Sequence, residues 1–397
     1  MTIKEQKVIS IVDPGLNDKL KAFRHKLGVK KAGYPEIVNW DGTNTGKWNI
    51  FPSVPVVTSK VCKGDENFAY NHHHTICKFK DKYVVAWSGG FRHEDHFGQE
   101  VHYSWSSDGE NWQPYGVLAH TMFDKNDTGG IVRNNAGMYV HGDRLYAYIG
   151  VCKSTGNTGM AMNHMVSKKM QLDVYVTDDL VNWEHYERIA DDIYLFEAPR
   201  LTLNGDLLCC GFDINDWHQG LVLIWEKGKE PSQKPLVVKI PRSSDGIIPE
   251  QGTWYQKYDD GRICMYLRDG SISMKLALSF SDDGGRTWTE PLRTDFPNTY
   301  SRAYAGKLSD GRFYIVGNNY DHYLDRSHLM IATSEDGETF NRMHTLLNTP
   351  TTRRIDGYHK EDGFHYPNCM IDDGKLFIVC SENKEDIVVA IVDEKCV

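Results

Sequence analysis

Ser281-Asp282-Asp283-Gly284-Gly285-Arg286-Thr287-Trp288 closes the alternating run KLALSF (275–280) with a tight turn. Degenerate copies of the phrase stand at Ser106–Trp112 (SSDGENW), Thr177–Trp183 (TDDLVNW) and Ser334–Phe340 (SEDGETF). A Ser or Thr and an Asp two residues later can accept hydrogen bonds from their own turn, Gly tolerates positive φ, and the aromatic packs between strands. A strand–turn–aromatic unit recurring every ~50–70 residues is the signature of a β-propeller. The phrase is a folding device and says little about chemistry.

Working outward, six hairpins align on short Gly/Asp turns: 79–87, 140–150, 203–212, 259–268, 309–317 and 372–380. Each joins two alternating runs, and a third run follows, as in HYSWS (102–106), LVLIWE (221–226) and IVVAIV (387–392). The pattern predicts an all-β chain, 1–397, forming a single propeller of four-stranded antiparallel blades. The last blade ends after its third strand, and KVISIVD (7–13) is expected to add the fourth and close the ring. Residues 15–70 include EIVNW and SVPVVTSKV, material for a seventh blade. Seven blades is the expectation and six the alternative.

A net charge of -9 argues against nucleic acid or an anionic membrane surface as partner. No run of ~18 apolar residues is long enough to span a bilayer as a helix. The nine cysteines are odd in number and form no CxxC, which suits reduced thiols. The N-terminal segment has no apolar signal core, so the sequence as written reads as cytoplasmic; removal of a leader would make it secreted. A monomer is expected.

Inner strands of a propeller start at the mouth of its central channel. The residues about ten before each turn are His72, Asn134, Glu197, Gly252 (beside Gln251), Arg302 and His365, mostly polar where a core strand would be apolar. Asn135, Arg200, Arg268, Tyr255, Tyr304, His73 and His93 join them. Arginines, histidines and amides converging on one concavity make a candidate site for an anionic ligand. The bland alternative is a water-filled channel lined by polar groups. Three adjacent His alternate in direction along a strand, so the 72–74 tract is not expected to chelate one ion, and no metal site is assigned. HExxH, P-loop, GxGxxG and GxSxG phrases are absent.

The repeated turn phrase matches the Asp-box of sialidase-like propellers. A sialidase needs an arginine cluster on the sugar carboxylate, a Tyr nucleophile with a Glu, and an acid. The family also carries Arg-Ile-Pro in its first blade; YPEIV (34–38) has no Arg. A closer resemblance is carried by FAYNHHHTI (68–76) and GGFRHEDHFGQ (89–99), which look like the first blade of propeller polysaccharide lyases, the ulvan and rhamnosyl-glucuronate lyases, and of related α-L-rhamnosidases. That resemblance implies two site histidines from consecutive strands, a spacing kept by His73 and His93, together with a Tyr, an Arg and seven blades.

β-Elimination at a uronate needs a group neutralising the carboxylate, a neutral His or Tyr as base and an acid for the leaving oxygen. The expected catalytic set is His73, His93, Tyr255, Arg200 and Arg302. His72, Asn134, Asn135, Glu197, Gln251, Arg268, Tyr304 and His365 are expected to bind an acidic oligosaccharide or polysaccharide. Such a lyase requires no cofactor; a structural Ca²⁺ at the axis is compatible with the fold, though no ligand motif announces one. The alternatives are a glycoside hydrolase (an α-L-rhamnosidase or a sialidase) and a propeller that only binds sugar.

Overall fold

A computed structural model describes residues 51–96, 98–123, 130–154, 165–320 and 322–397. It is a six-bladed, all-antiparallel β-propeller. The alternating runs form strands because one face of each sheet packs on the neighbouring blade.

The first blade comprises β2 (Tyr70–Phe79), β3 (Lys82–Gly90), β4 (Glu100–Ser106) and β5 (Gly116–Ala119). The second is built on β7 (Gly130–His141), β8 (Arg144–Ser154), β9 (Met165–Thr177) and β10 (Glu184–Asp191), with β6 (Met122–Phe123) added at the inner edge. In the third, the inner strand is split into β11 (Ile193–Leu195) and β12 (Arg200–Leu201), both paired with β13 (Leu207–Asp213). The break falls at Glu197-Ala198-Pro199, where Pro lacks the N–H a ladder needs. β14 (Asp216–Trp225) and β15 (Leu236–Lys239) complete that blade. The fourth is β16 (Pro249–Gln256) to β19 (Leu292–Pro297), and the fifth β20 (Tyr304–Lys307) to β23 (Arg342–Leu347).

The sixth blade corrects the sequence reading twice. It contains β24 (Phe364–Asp372), β25 (Lys375–Glu382) and β26 (Asp386–Asp393), and its outer strand is β1 (Val57–Cys62), in register Val57↔Ile391 and Thr58↔Ala390. The place expected for residues 7–13 is thus taken by 57–62; residues 7–13 themselves lie outside the described residues. SVPVVTSKV closes the sixth blade instead of starting a seventh. The unpaired edge of IVVAIV demands a partner, and this run supplies it.

The four repeated turns share one hydrogen-bond pattern. Asp283 Oδ1 accepts from the N–H groups of Arg286 (3.0 Å) and Thr287 (2.9 Å), and Ser281 Oγ from that of Gly285 (2.8 Å). Asp108, Asp179 and Asp336 accept two turn N–H groups each in the same way. Phe340 and Trp288 are buried between blades, as are the central Trp87 and Trp225.

Four inner strands carry a bulge near their starts: between His72 and Thr75, Asn135 and Gly137, Glu250 and Thr253, and His365 and Asn368. Three of these bulges hold a non-glycine residue at positive φ: His73 (49°), Gln251 (42°) and Tyr366 (50°). A bulge gives two residues to one position and re-aims a side chain. Positive φ in bulky residues costs of order 1–3 kcal/mol each, strain typical of functional sites. At the second blade Gly137 takes φ 124°, and a Cβ there would lie 2.2 Å from the Ala198 nitrogen. Gly137→Ala should therefore destabilise the protein by at least about 2 kcal/mol, read as a lowered denaturant midpoint at unchanged slope.

Candidate active site at the channel mouth

The bulges decide what faces the axis. Tyr366 sits at the sixth-blade bulge, 6% exposed. Its hydroxyl receives a hydrogen bond from Arg268 Nη1 at 2.9 Å. Arg268 is the cross-strand partner of Glu250 in β17 (Ile263–Asp269), so the two meet by register. Arg268 Nε and Nη2 donate to Glu250 Oε2 at 3.0 and 2.6 Å. Tyr300 stacks under this guanidinium at 4.4 Å. Arg326, from the loop after β21 (Phe313–Gly317), lies 5.5 Å from the Tyr366 ring, anchored by bonds to Ser301 Oγ (2.7 Å) and the Tyr300 carbonyl (3.0 Å). Lys384, in the turn between β25 and β26, has Nζ 5.6 Å from the same ring.

Three cations thus surround one buried phenol. Burial pushes the Tyr366 hydroxyl up, but Arg268, Lys384 and Arg326 outweigh it and hold it below the ordinary tyrosine value. The other tyrosines buried around the channel, Tyr70, Tyr194 and Tyr304, are pushed the opposite way, first by burial.

Opposite lies a carboxylate pair on the loop after β3. Glu94 bonds Lys384 Nζ at 3.0 Å and Tyr70 Oη at 3.1 Å, with His73 Nε2 at 3.4 Å. Burial opposes its ionisation, yet Lys384 and His73 hold it well below the usual carboxylate range. Asp95, at φ 51° and 8% exposed, is shifted up from its ordinary value, first by burial, with His73 opposing and Glu94 adding to the rise. Its Oδ1 has no hydrogen-bond partner. The two adjacent carboxyls are thus pushed in opposite directions, Glu94 towards its anion and Asp95 towards its acid form. A raised carboxyl favours folding below the unfolded aspartate range (about 3.9) and loses that contribution as pH rises. Asp95→Asn should then melt above wild type at neutral pH, the gap closing towards acid pH. Thermal melts across pH check this, and a variant less stable at neutral pH would contradict it.

His72, His73 and Glu94 bring one ligand atom each within 4.8 Å of one another, so among the described residues they could hold a metal ion. The strand bulge puts the two adjacent histidines side by side, against the alternation expected from the sequence. The lysine on Glu94 and the nearby arginines oppose a divalent cation there.

The expected site residues divide into groups. His72, His73, Gln251, Arg268 and His365 are at this mouth. His72 Nδ1 lies 3.0 Å from Ser381 Oγ, its Nε2 unpartnered, and burial lowers its basicity. The Gln251 Oε1 is likewise unpartnered, and His365 Nε2 sits on the Glu361 carbonyl at 2.8 Å. Asn134 bonds Gln99. Asn135 staples blades one and two through the His73 carbonyl (2.7 Å), Thr75 (3.0 Å) and the Ala86 carbonyl (3.1 Å).

Glu197, Arg200 and Tyr304 gather instead at the far end of the inner strands, lining a cavity of about 320 Å³. Arg200 pairs with Glu197 at 3.0 Å between the Trp254 and Tyr304 rings. Arg302 lies buried in the channel. Besides Arg200, two further members of the expected catalytic set lie away from this mouth. The Tyr255 hydroxyl is shared by Tyr266 (2.8 Å) and the Gly337 carbonyl (2.7 Å) in the core between blades. His93 Nδ1 accepts the Tyr358 N–H at 3.0 Å, tying two loops together. Sequence reasoning missed Tyr366, Glu250, Arg326, Lys384, Glu94 and Asp95. Tyr366 and Glu250 each adjoin a residue it did select, the displacement a bulge creates.

Solved structures share this fold. The intramolecular trans-sialidase of Ruminococcus gnavus, in complex with oseltamivir carboxylate, is similar at TM-score 0.62 and 10% identity, over 85% of this chain and 97% of that one. A protein of unknown function from Dyadobacter fermentans gives 0.65 at 14%, over 86% and 100%. The Trypanosoma rangeli sialidase with 2,3-difluorosialic acid, a covalent intermediate, gives 0.62 at 12%, over 86% and 59%. No curated protein sequence matches the chain. The model of the BNR repeat-like domain matches residues 81–378, and the chain belongs to that family.

Proposed function

We propose that this protein is a glycosidase acting on a carboxylate-bearing sugar, of the sialidase type, with Tyr366 as nucleophile. The observation that carries the reading is a buried phenol whose hydroxyl accepts from the Arg268 guanidinium at 2.9 Å, with Arg326 and Lys384 5.5 and 5.6 Å from its ring. Arg268, Arg326 and Lys384 take the sugar carboxylate. A phenol serves where a carboxylate nucleophile would be repelled by that carboxylate. Glu250, bonded to the same guanidinium as the phenol, is the proposed acceptor of its proton. Asp95 protonates the departing oxygen, and the Tyr366–sugar bond forms as the glycosidic bond breaks. Water, deprotonated by the Asp95 carboxylate, then attacks the anomeric carbon and releases the sugar, and Glu250 returns its proton to the departing Tyr366 oxygen.

β-Elimination at a uronate is the second reading. It would use the same cations, with Tyr366 or an unpartnered histidine nitrogen as base. Incubation with sialyl-lactose followed by proton NMR tests the proposal: the first-formed sugar should retain its anomeric configuration. Inversion would overturn the nucleophile. An unsaturated uronate absorbing in the ultraviolet, formed from ulvan or gum arabic oligosaccharides without sialic acid release, would replace the hydrolase by a lyase.

A further inference from the structure

Arg302 is 1% exposed, and its Nε and Nη2 have no hydrogen-bond partner. Among the described residues no carboxylate lies within ion-pair distance of it, whereas Arg268 and Arg293, also enclosed, pair with Glu250 (2.6 Å) and Asp269 (2.9 Å); Arg326, likewise without a carboxylate, is held by Ser301 Oγ (2.7 Å) and the Tyr300 carbonyl (3.0 Å). Glu197, the acid whose field reaches Arg302, is already committed to Arg200 at 3.0 Å and Thr253 at 3.3 Å. His74, on the same stretch of channel, is held neutral by burial and by Arg302, with Nδ1 unpartnered. Arginine does not shed its proton, and an enclosed, uncompensated charge costs several kcal/mol. Water can satisfy N–H donors but leaves the charge in place.

We propose that the central channel binds a small monovalent inorganic anion, a halide, on the Arg302 guanidinium. Size follows from the enclosure, and charge from a cation that has neither an acid partner nor, at Nε and Nη2, any hydrogen-bond acceptor. Arg302 stands two residues before Tyr304, which lines the cavity it shares with Glu197 and Arg200. The inference does not rest on the glycosidase reading, which gives Arg302 no role.

The probe is bromide. In sodium gluconate buffer, added sodium bromide should raise the melting temperature saturably, by about 2 °C or more at saturation, whereas further gluconate should not. Arg302→Met should lose the bromide response. Crystals of the wild-type protein in bromide should show an anomalous peak at hydrogen-bond distance from Arg302, a readout that stands even if the variant fails to fold. Water alone beside Arg302 in such crystals, or equal bromide responses in wild type and variant, overturns the proposal.

Discussion

Tyr366→Phe lowers kcat by about 10³-fold or more, while the protein folds and melts close to wild type. The magnitude follows from removing a nucleophile whose partners act only through it. The stability expectation follows from how little the hydroxyl does structurally: it receives one hydrogen bond, from Arg268 at 2.9 Å. The ring remains to fill the space against His72, whose centroid lies 4.4 Å away. Losing that bond frees one guanidinium N–H, a cost of about 1 kcal/mol. Steady-state kinetics beside a denaturation curve separate the two effects. A variant that unfolds, or one that keeps its rate, would contradict the account.

Arg268→Met damages activity and stability together. Its partner Glu250 is about 10% exposed at the side chain and would keep only the Tyr300 hydroxyl at 3.4 Å. Breaking an enclosed ion pair on one side leaves a charge without compensation, at about 3–5 kcal/mol. The same change withdraws the largest cationic influence on the Tyr366 phenol and one of the three groups assigned to the substrate carboxylate. A loss of about 10²–10³ in kcat/KM is expected for a carboxylated substrate. The double variant Arg268→Met/Glu250→Gln should recover much of the stability and none of the activity. Recovery of both would reduce Arg268 to a structural counter-ion.

The blades were legible because strand alternation and turn chemistry are local. The S-x-D-x-G phrase and its hydrogen bonds lie within a few residues of each other, so Asp108, Asp179, Asp283 and Asp336 could be located directly. The blade count was less legible. SVPVVTSKV has the alternation of any strand, and only pairing across more than three hundred residues (Val57↔Ile391) shows that it closes the last blade.

The site was legible to within one residue on two of its strands. Regular alternation placed His365 and Gln251 at the axis, and bulges brought Tyr366 and Glu250 beside them. A bulge on a non-glycine residue leaves no mark in the sequence, since His73, Gln251 and Tyr366 are not residues that ask for positive φ. Arg326, Lys384, Glu94 and Asp95 come from turns and loops outside the inner strands, so no strand alignment could reach them. Glu197, Arg200 and Tyr304 were read as polar groups of one ring, yet the split third blade carries Glu197 and Arg200 to the opposite end, where Tyr304 of the fifth blade meets them. Tyr255 was selected as a tyrosine near the ring position of its strand, and the inter-blade core claims it.

The account stands on one bond, that between the Tyr366 oxygen and the anomeric carbon of an acidic sugar. Its most direct test is intact-protein and peptide mass spectrometry after incubation with 2,3-difluorosialic acid, a sugar whose fluorine slows breakdown of a glycosyl intermediate. The account predicts a single adduct mapped to Tyr366 and absent from Tyr366→Phe. An adduct on Glu94, Asp95 or Glu250, or turnover of natural sialosides with no adduct on the tyrosine, would contradict it.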